Sequence, residues 1–299
     1  MKIAVLLTCF NRKEKTLSCL SSLYNALSLY NDKNENKIEI SVYLTDDGCT
    51  DGTSDAIKNN FPNKDITILL GTGNLFWAGG MRFAWNEALK KHNEWDFYLL
   101  LNDDTDLLDN LFEELMNTHQ YCLENYKKSG IYSGITSAKS DYNKMTYGGD
   151  VWKNKFLGTS IRLKPTGKPQ ICDITNANIL LVSKEVVDKI GIFYSGYTHG
   201  IADNDYSIMA RNKKIPVLIT AHFCGRCDYD HKSSKEVAEN VIKMSLSERK
   251  KYFSNPIRSN KDYFKYISRN MPLRLPIVFL GRTLNLYFPK LYYKLNKLR

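Results

Sequence analysis

No stretch of 18 or more apolar residues occurs in this 299-residue chain, which argues against a membrane-spanning helix. The opening apolar run, Ile3–Leu7 behind Met1-Lys2, is too short for a signal peptide and no small-residue cleavage pattern follows it. A cytoplasmic setting is therefore expected. The seven cysteines agree with that: they are odd in number and scattered, as reduced thiols are, and do not read as a disulfide framework. There is no internal repeat, no Pro/Ser-rich linker, and no Gly-Lys-Ser/Thr phosphate loop, which excludes a P-loop NTPase. Acid is almost missing from the C-terminal segment. Between Pro256 and Arg299 ten basic residues face one acid, Asp262, and so account for nearly all of the net charge of +10. The rest of the chain is close to neutral, and its 43% hydrophobic and 25% charged residues are ordinary for a globular protein.

What is present is an alternation of strand and helix signals. Strands are predicted at Ile3–Thr8, Ile38–Leu44, Ile66–Leu70 and Phe97–Leu101, and helices at Lys13–Leu29, Ser54–Asn60 and Met81–Lys91. Short β-branched or leucine-rich runs separated by helical patterns indicate βαβ units and a mainly parallel sheet. A helix at Leu107–Tyr121 and a strand at Ile131–Ile135 follow. Beyond about residue 140 the rhythm changes to turns around short antiparallel strands at Tyr147–Asp150 and Phe156–Thr159. Strand Ile179–Val182, helices Lys184–Ile190 and Asp203–Asn212, and strand Ile215–Ile219 complete the pattern.

Three strands end in polar clusters on what would be one sheet edge. The first runs into Thr8-Cys9-Phe10-Asn11-Arg12, the second into Asp46-Asp47-Gly48-Cys49-Thr50-Asp51-Gly52-Thr53, and the fourth into Asn102-Asp103-Asp104-Thr105-Asp106. Charge at the end of a buried strand is costly unless paired or bound to metal. Carboxylates there suit a hard divalent cation, and ligands of open α/β sheets bind beyond those strand ends. The same residues also make turns and helix caps. His222-Phe223-Cys224-Gly225-Arg226-Cys227 with His231 allows a zinc reading, a single metal or diphosphate contact, or a plain surface loop.

In order and spacing these elements resemble family 2 of the inverting glycosyltransferases, which have the GT-A fold. The resemblance covers roughly residues 3–220. It includes Thr8–Arg12, Asp46–Thr53, Asn74 with Ala78-Gly79-Gly80, Leu101–Thr105, Thr175–Asn178, Gly191-Ile192-Phe193 and Ala202–Tyr206. It implies an α/β fold: a mainly parallel, Rossmann-like nucleotide-binding sheet continuous with a mixed acceptor-side part, with a basic, helical C-terminal extension. The corresponding divisions are 1–235 (halves 1–106 and 107–235) and 236–299. The implied reaction moves a sugar from a nucleotide diphosphate donor to a glycan or lipid-linked glycan acceptor, in bacterial surface polysaccharide synthesis, with Mn2+ or Mg2+.

Thr8, Phe10, Asn11, Arg12, Asp46, Asp47, Asn74, Gly80 and Asp103 are then expected on the nucleotide, with Asp46 or Asp47 facing the base. Asp104 is the expected metal ligand, His231 a second contact preferred over His222, and Asn102 lacks the charge for that role. Asp203 stands where the family carries its general base, with Asp205 placed to orient it or to pair with Arg211. Trp77, Asn176 and Asp205 are expected on the acceptor side. A metal-dependent nucleotidyltransferase and a non-catalytic nucleotide- or membrane-binding protein are the rival readings. The first would carry a glycine-rich, basic loop after strand one, and Thr8–Lys13 lacks those glycines.

The basic extension mixes arginines and lysines with aromatics, as in Tyr287-Phe288-Pro289-Lys290-Leu291-Tyr292-Tyr293-Lys294. That composition suits an anionic membrane surface, here the inner face of the plasma membrane. A helical lid or a contact between copies in a homo-oligomer is the alternative. Nucleic acid is not expected as a partner.

Overall fold

A computed structural model describes residues 1–229 and 233–296. The first half runs β1 (Lys2–Cys9), α1 (Lys13–Lys33), β2 (Glu39–Asp46), α2 (Thr53–Asn60), β3 (Ile66–Leu70), α3 (Phe76–Leu89), β4 (Phe97–Leu101), β5 (Asp106–Leu107) and α4 (Leu111–Tyr126). The second half runs β6 (Ile131–Ser137), β7 (Met145–Tyr147), β8 (Gly149–Asn154), β9 (Thr159–Arg162), β10 (Gln170–Ile171), β11 (Ile174–Thr175), β12 (Ile179–Ser183), α5 (Lys184–Ile190), α6 (Ala202–Asn212) and β13 (Val217–Arg226). Helices α7 (Ser234–Lys243), α8 (Leu246–Ser254), α9 (Asn260–Asn270), α10 (Leu275–Tyr287) and α11 (Pro289–Asn296) follow.

The main sheet has the order β10-β13-β6-β12-β4-β1-β2-β3, with β5 added to β13 and β7 to β6. β4, β1, β2 and β3 are parallel neighbours. β12 lies antiparallel between β4 and β6. The carboxyl ends of β1, β2 and β4 and the amino end of β12 therefore share one edge. A separate three-stranded antiparallel sheet, β11-β8-β9, contains the hairpin expected around residue 156.

Burial on both faces explains the continuous apolar runs. Along β1, Ile3, Val5, Leu7 and Cys9 join the core beneath α1 and α4, while Ala4 and Leu6 join the core beneath α3 and α6. Strand β4 alternates in the same way: Phe97, Leu99 and Leu101 on one side, Tyr98 and Leu100 on the other.

Three boundaries differ from the sequence expectation. Helix α3 begins at Phe76, so Gly79 and Gly80 lie inside it. Its cap comes from a distant residue: Asp47 accepts the N–H groups of Leu75 and Phe76, both at 2.9 Å. Residues 107–110 do not start α4, because Asp106–Leu107 pair with Gly225–Arg226. The expected loop at His222–Arg226 continues β13, after irregular pairing with β6 between Ile219 and Phe223.

The C-terminal segment is helical, as expected, but its first part is not an appendage. Tyr266, Ile267 and Met271 are buried in the core beneath α3 and α6. The link is Asp205, which is 1% exposed and lies away from the pairing predicted for it. It accepts from Tyr197 Oη at 2.9 Å, Arg269 Nε and Nη2 at 3.2 Å each, and Asn270 Nδ2. Arg211 pairs with Asp173 instead. A carboxylate this deep requires a cation, and α9 delivers it.

Gly80 packs α3 directly on β1: a Cβ there would come 2.1 Å from Thr8 Oγ1 and 2.8 Å from Thr8 Cβ. Gly80→Ala is accordingly expected to lower stability by about 1–3 kcal/mol in urea denaturation, as overpacking does. An unchanged midpoint would show that the two elements separate freely.

Candidate active site

Arg12, the N-cap of α1, reaches the acids at the end of β4. Its Nη1 lies 2.8 Å from Asp104 Oδ2 and 3.2 Å from Asp103 Oδ1. Burial raises the Asp103 carboxyl to about 6 although Arg12 pulls it down. Burial works against the Arg12 charge too, but Asp103 and Asp104 outweigh it and hold that guanidinium above its usual value. Thr16 Oγ1 adds a 3.4 Å contact to Asp103 Oδ2. Asn102 is engaged elsewhere: its Oδ1 accepts from Trp77 Nε1 at 2.8 Å.

The two other strand-end clusters are built from the same chemistry. Asp46 accepts the N–H groups of Gly48 (3.1 Å) and Cys49 (2.7 Å) and the Ser54 hydroxyl. Asp47 takes Gly73 N–H at 2.9 Å besides capping α3. Asp51 takes Lys13 N–H at 2.9 Å, at the start of α1. Asn11, at φ 51°, holds the first loop to the second through its Oδ1 and Thr50 N–H, 2.7 Å apart. These side chains thus tie the loops after β1, β2 and β3 to one another. Phe10 and Asn74 are exposed on these loops, whereas Thr8 and Gly80 are buried against each other.

The other wall is the start of α6. Ile201, a β-branched residue at φ 72°, precedes it, a conformation that persists only where neighbours impose it. Asp203 Oδ2 accepts Ala177 N–H at 3.0 Å and Oδ1 accepts Asn204 N–H at 2.8 Å. The Asn204 amide, turned with its nitrogen inward, adds a 3.2 Å bond to Oδ1 and another to Thr175 O. No cation pairs with Asp203 among the described residues, and burial raises its carboxyl to about 6. The two walls are linked directly: Asn102 N–H donates to Asn178 O at 3.1 Å, so Asp103–Asp104 and the Ala177–Asp203 contact flank one backbone bond.

Asn176 lies in this connection, its N–H donating to Gly148 O at 3.3 Å. Trp77 bridges the walls, since its backbone N–H meets His199 Nδ1 at 3.4 Å and its ring packs 5.6 Å from Phe193. Sequence reasoning missed His199, Thr16 and the Ala177 N–H, none of which carries a local signal. Asp205 lies behind α6, on Arg269, and does not touch Asp203.

His222 is held by Glu114, through its N–H at 3.0 Å and Nδ1 at 2.8 Å. His231 lies outside the described residues. Cys224 is buried against Thr220 and Ile135, while Cys227 Sγ is 3.6 Å from Asp104 Oδ1. Burial pushes both thiols up to about 12. Among the described residues no three His, Cys, Asp or Glu side chains converge on a point that could hold a metal. Asp104, the carboxylate expected on the metal, keeps Oδ2 on Arg12 and Oδ1 near Cys227 Sγ in this structure.

A mixed sheet with acids at this edge defines the GT-A class of glycosyltransferase folds. S. aureus TarS 1–349 in complex with UDP shares it with a TM-score of 0.57 at 12% identity, over 100% of this chain and 92% of that one. The mannosyltransferase PcManGT from Pyrobaculum calidifontis, in complex with GDP-Man and Mn2+, gives 0.50 at 14%, over 99% and 83%. The model of glycosyl transferase family 2 matches residues 4–181, and the chain belongs to that family. No curated protein matches the sequence.

The Asp203 carboxyl, raised from 3.8 to about 6, keeps a proton in the folded protein that the unfolded chain has released between roughly pH 4 and 6. Its contribution to stability therefore falls as pH rises through that window. Wild-type urea midpoints are expected to decline more steeply from pH 4 to 6 than those of Asp203→Asn; parallel profiles would contradict this.

Proposed function

We propose that the protein is an inverting glycosyltransferase that moves a sugar from a nucleoside diphosphate donor to an acceptor hydroxyl in surface polysaccharide assembly. The observation that carries this is the contrast between unlike carboxylates on two segments joined by the Asn102–Asn178 backbone bond. Asp103–Asp104 sit beside a cation, whereas Asp203 has only amide donors for partners. The UDP and GDP-Man held by the structural neighbours support a nucleotide-sugar donor.

In this reading the loops that carry Asn11, Asp46 and Asp47 receive the base and ribose. Arg12 turns from the acids to the diphosphate. Asp104 would hold Mn2+ or Mg2+ with Asp103 in support, and the charge growing on the leaving diphosphate would be neutralised there. Asp203 takes the proton from the acceptor hydroxyl as its oxygen bonds to the sugar C1. The C1–O bond to the diphosphate breaks with its electron pair, so one displacement inverts C1. A single base suffices, and a carboxyl near 6 is ionised at neutral pH while still basic enough to act.

Asp203→Asn should keep donor binding and lose transfer by several orders of magnitude. Wild-type transfer should rise with pH through about 6. Transfer by the variant near the wild-type rate would remove Asp203 as base. Asp104→Ala should abolish the Mn2+ dependence of UDP or GDP binding in calorimetry, and unchanged binding with and without Mn2+ would refute the metal role.

We further propose peripheral contact with the inner face of the plasma membrane through 256–299, narrowed to its second half. No described helix is long and apolar enough to cross a membrane. Leu273, Leu280 and Phe288 are 79%, 67% and 64% exposed, among Arg274, Arg282 and Lys290. Replacing the three apolar residues by Ser should leave the melting temperature unchanged and abolish sedimentation with phosphatidylglycerol vesicles. Retained sedimentation would instead favour a contact between copies of the chain.

A further inference from the structure

A cavity of about 1150 Å³ lies apart from the acids, among the C-terminal helices. Its walls come from α7, α8, α10 and α11, and its rim reaches Gly200 and Ile201. Ile201 is two residues from Asp203, within about 7 Å of chain. The lining is unusual for a core gap. Lys235, Arg258, Arg282, Lys290 and Lys294 bring five cations, against the acids Glu239 and Asp262. Asp262 is already engaged, by Thr198 N–H at 2.8 Å and by Lys265. None of the five cations forms an ion pair with a carboxylate among the described residues.

Two of these cations lie over aromatic rings. Arg258 lies 4.6 Å from the Tyr252 ring centroid and Arg282 4.4 Å from that of Tyr263. An arginine beside an aromatic ring still has N–H groups free to meet a phosphate. Val237 and Ile242 add apolar wall. Asn285 lies in the same wall, 4% exposed, and its Oδ1 has no hydrogen-bond partner. The same side chain hydrogen-bonds Tyr293, which also lines the cavity. The helices that supply Arg282, Asn285, Lys290 and Lys294 also carry the exposed side chains of Leu280, Phe288 and Leu291.

Charge, aromatic stacking and apolar surface together fit one chemistry, an amphiphile with a phosphate head. We propose that this cavity seats the lipid-linked end of the acceptor. It binds the diphosphate and first apolar units of a phosphate-headed lipid and presents the attached sugar at the Gly200–Ile201 rim, toward Asp203. The presentation step rests on the function proposed above; the binding step does not.

The test is calorimetry on the full chain without divalent ion, using farnesyl diphosphate, inorganic diphosphate and farnesol as probes. Farnesyl diphosphate is expected to bind at least tenfold more tightly than either of the others. Arg258→Gln with Arg282→Gln should weaken it tenfold or more. Lys290→Gln with Lys294→Gln, at exposed positions, should weaken it about threefold with an unchanged melting temperature. Asp104→Ala and Asp203→Asn should leave it within twofold. No binding by the wild type would overturn the proposal. So would equal affinity for inorganic diphosphate (a bare anion site) or for farnesol (an apolar site without a head). Loss in Asp104→Ala but not in the cavity variants would place the probe at the donor acids. If Asp203→Asn still transfers sugar while the cavity variants lose the probe, the base assignment fails and the lipid site stands.

Discussion

Two carboxylates side by side at the end of a buried strand cannot both stay charged without a cation, and Arg12 is that cation. Its contacts with Asp103 and Asp104 join the start of α1 to the end of β4 and thereby fix the edge on which the rest of the site is assembled. The neighbouring loops repeat the solution with amides in place of a guanidinium. Asp47 caps α3, Asp51 caps the first turn of α1, and Asp46 closes its own turn. Anions at helix N-termini are stabilised by the orphan N–H groups and the helix dipole. The acids at this edge thus hold the frame in place before any ligand arrives.

Asp203 obeys a different rule. It has N–H donors but no cation, and that difference separates it from Asp104 chemically. One carboxylate stands beside a positive charge and suits a phosphate-borne ion; the other is desolvated and suits a proton. The backbone is held in costly conformations at three points around the site, Asn11, Phe76 and Ile201, all at positive φ. Such strain persists because the surrounding loops over-determine it.

Much of this was legible in the sequence. The alternation of β1 and β4 between two cores follows from their apolar runs, and the three polar strand ends pointed to one edge before their order suggested a family. What escaped the sequence shares one cause: partners far apart along the chain. Helix α3 looks as though it starts near Met81 because Gly79 and Gly80 are poor helix formers. It starts at Phe76 because Asp47, 29 residues away, caps it, and because Gly80 has to lie against Thr8. Asp205 looked like a companion of Asp203, two positions on in the same helix. Its side chain lies behind the helix, where its partner Arg269 is 64 residues distant. The pairing of Asn102 with Asn178, which brings the two walls together, likewise has no local signature.

The segment before Asp203 hangs from α9. Thr198 N–H is held by Asp262, Gly196 O by Lys265, and Tyr197 Oη by the same Asp205 that grips Arg269. Arg82 on α3 holds Tyr194 O from the other side. This makes the C-terminal helices a mechanical member, a lever whose short arm is the turn that carries the carboxylate. A chain cut at the end of the family match would keep the donor edge and lose both the turn and its suspension. The shape of the turn before Asp203 is thus set by side chains more than sixty residues further along the chain.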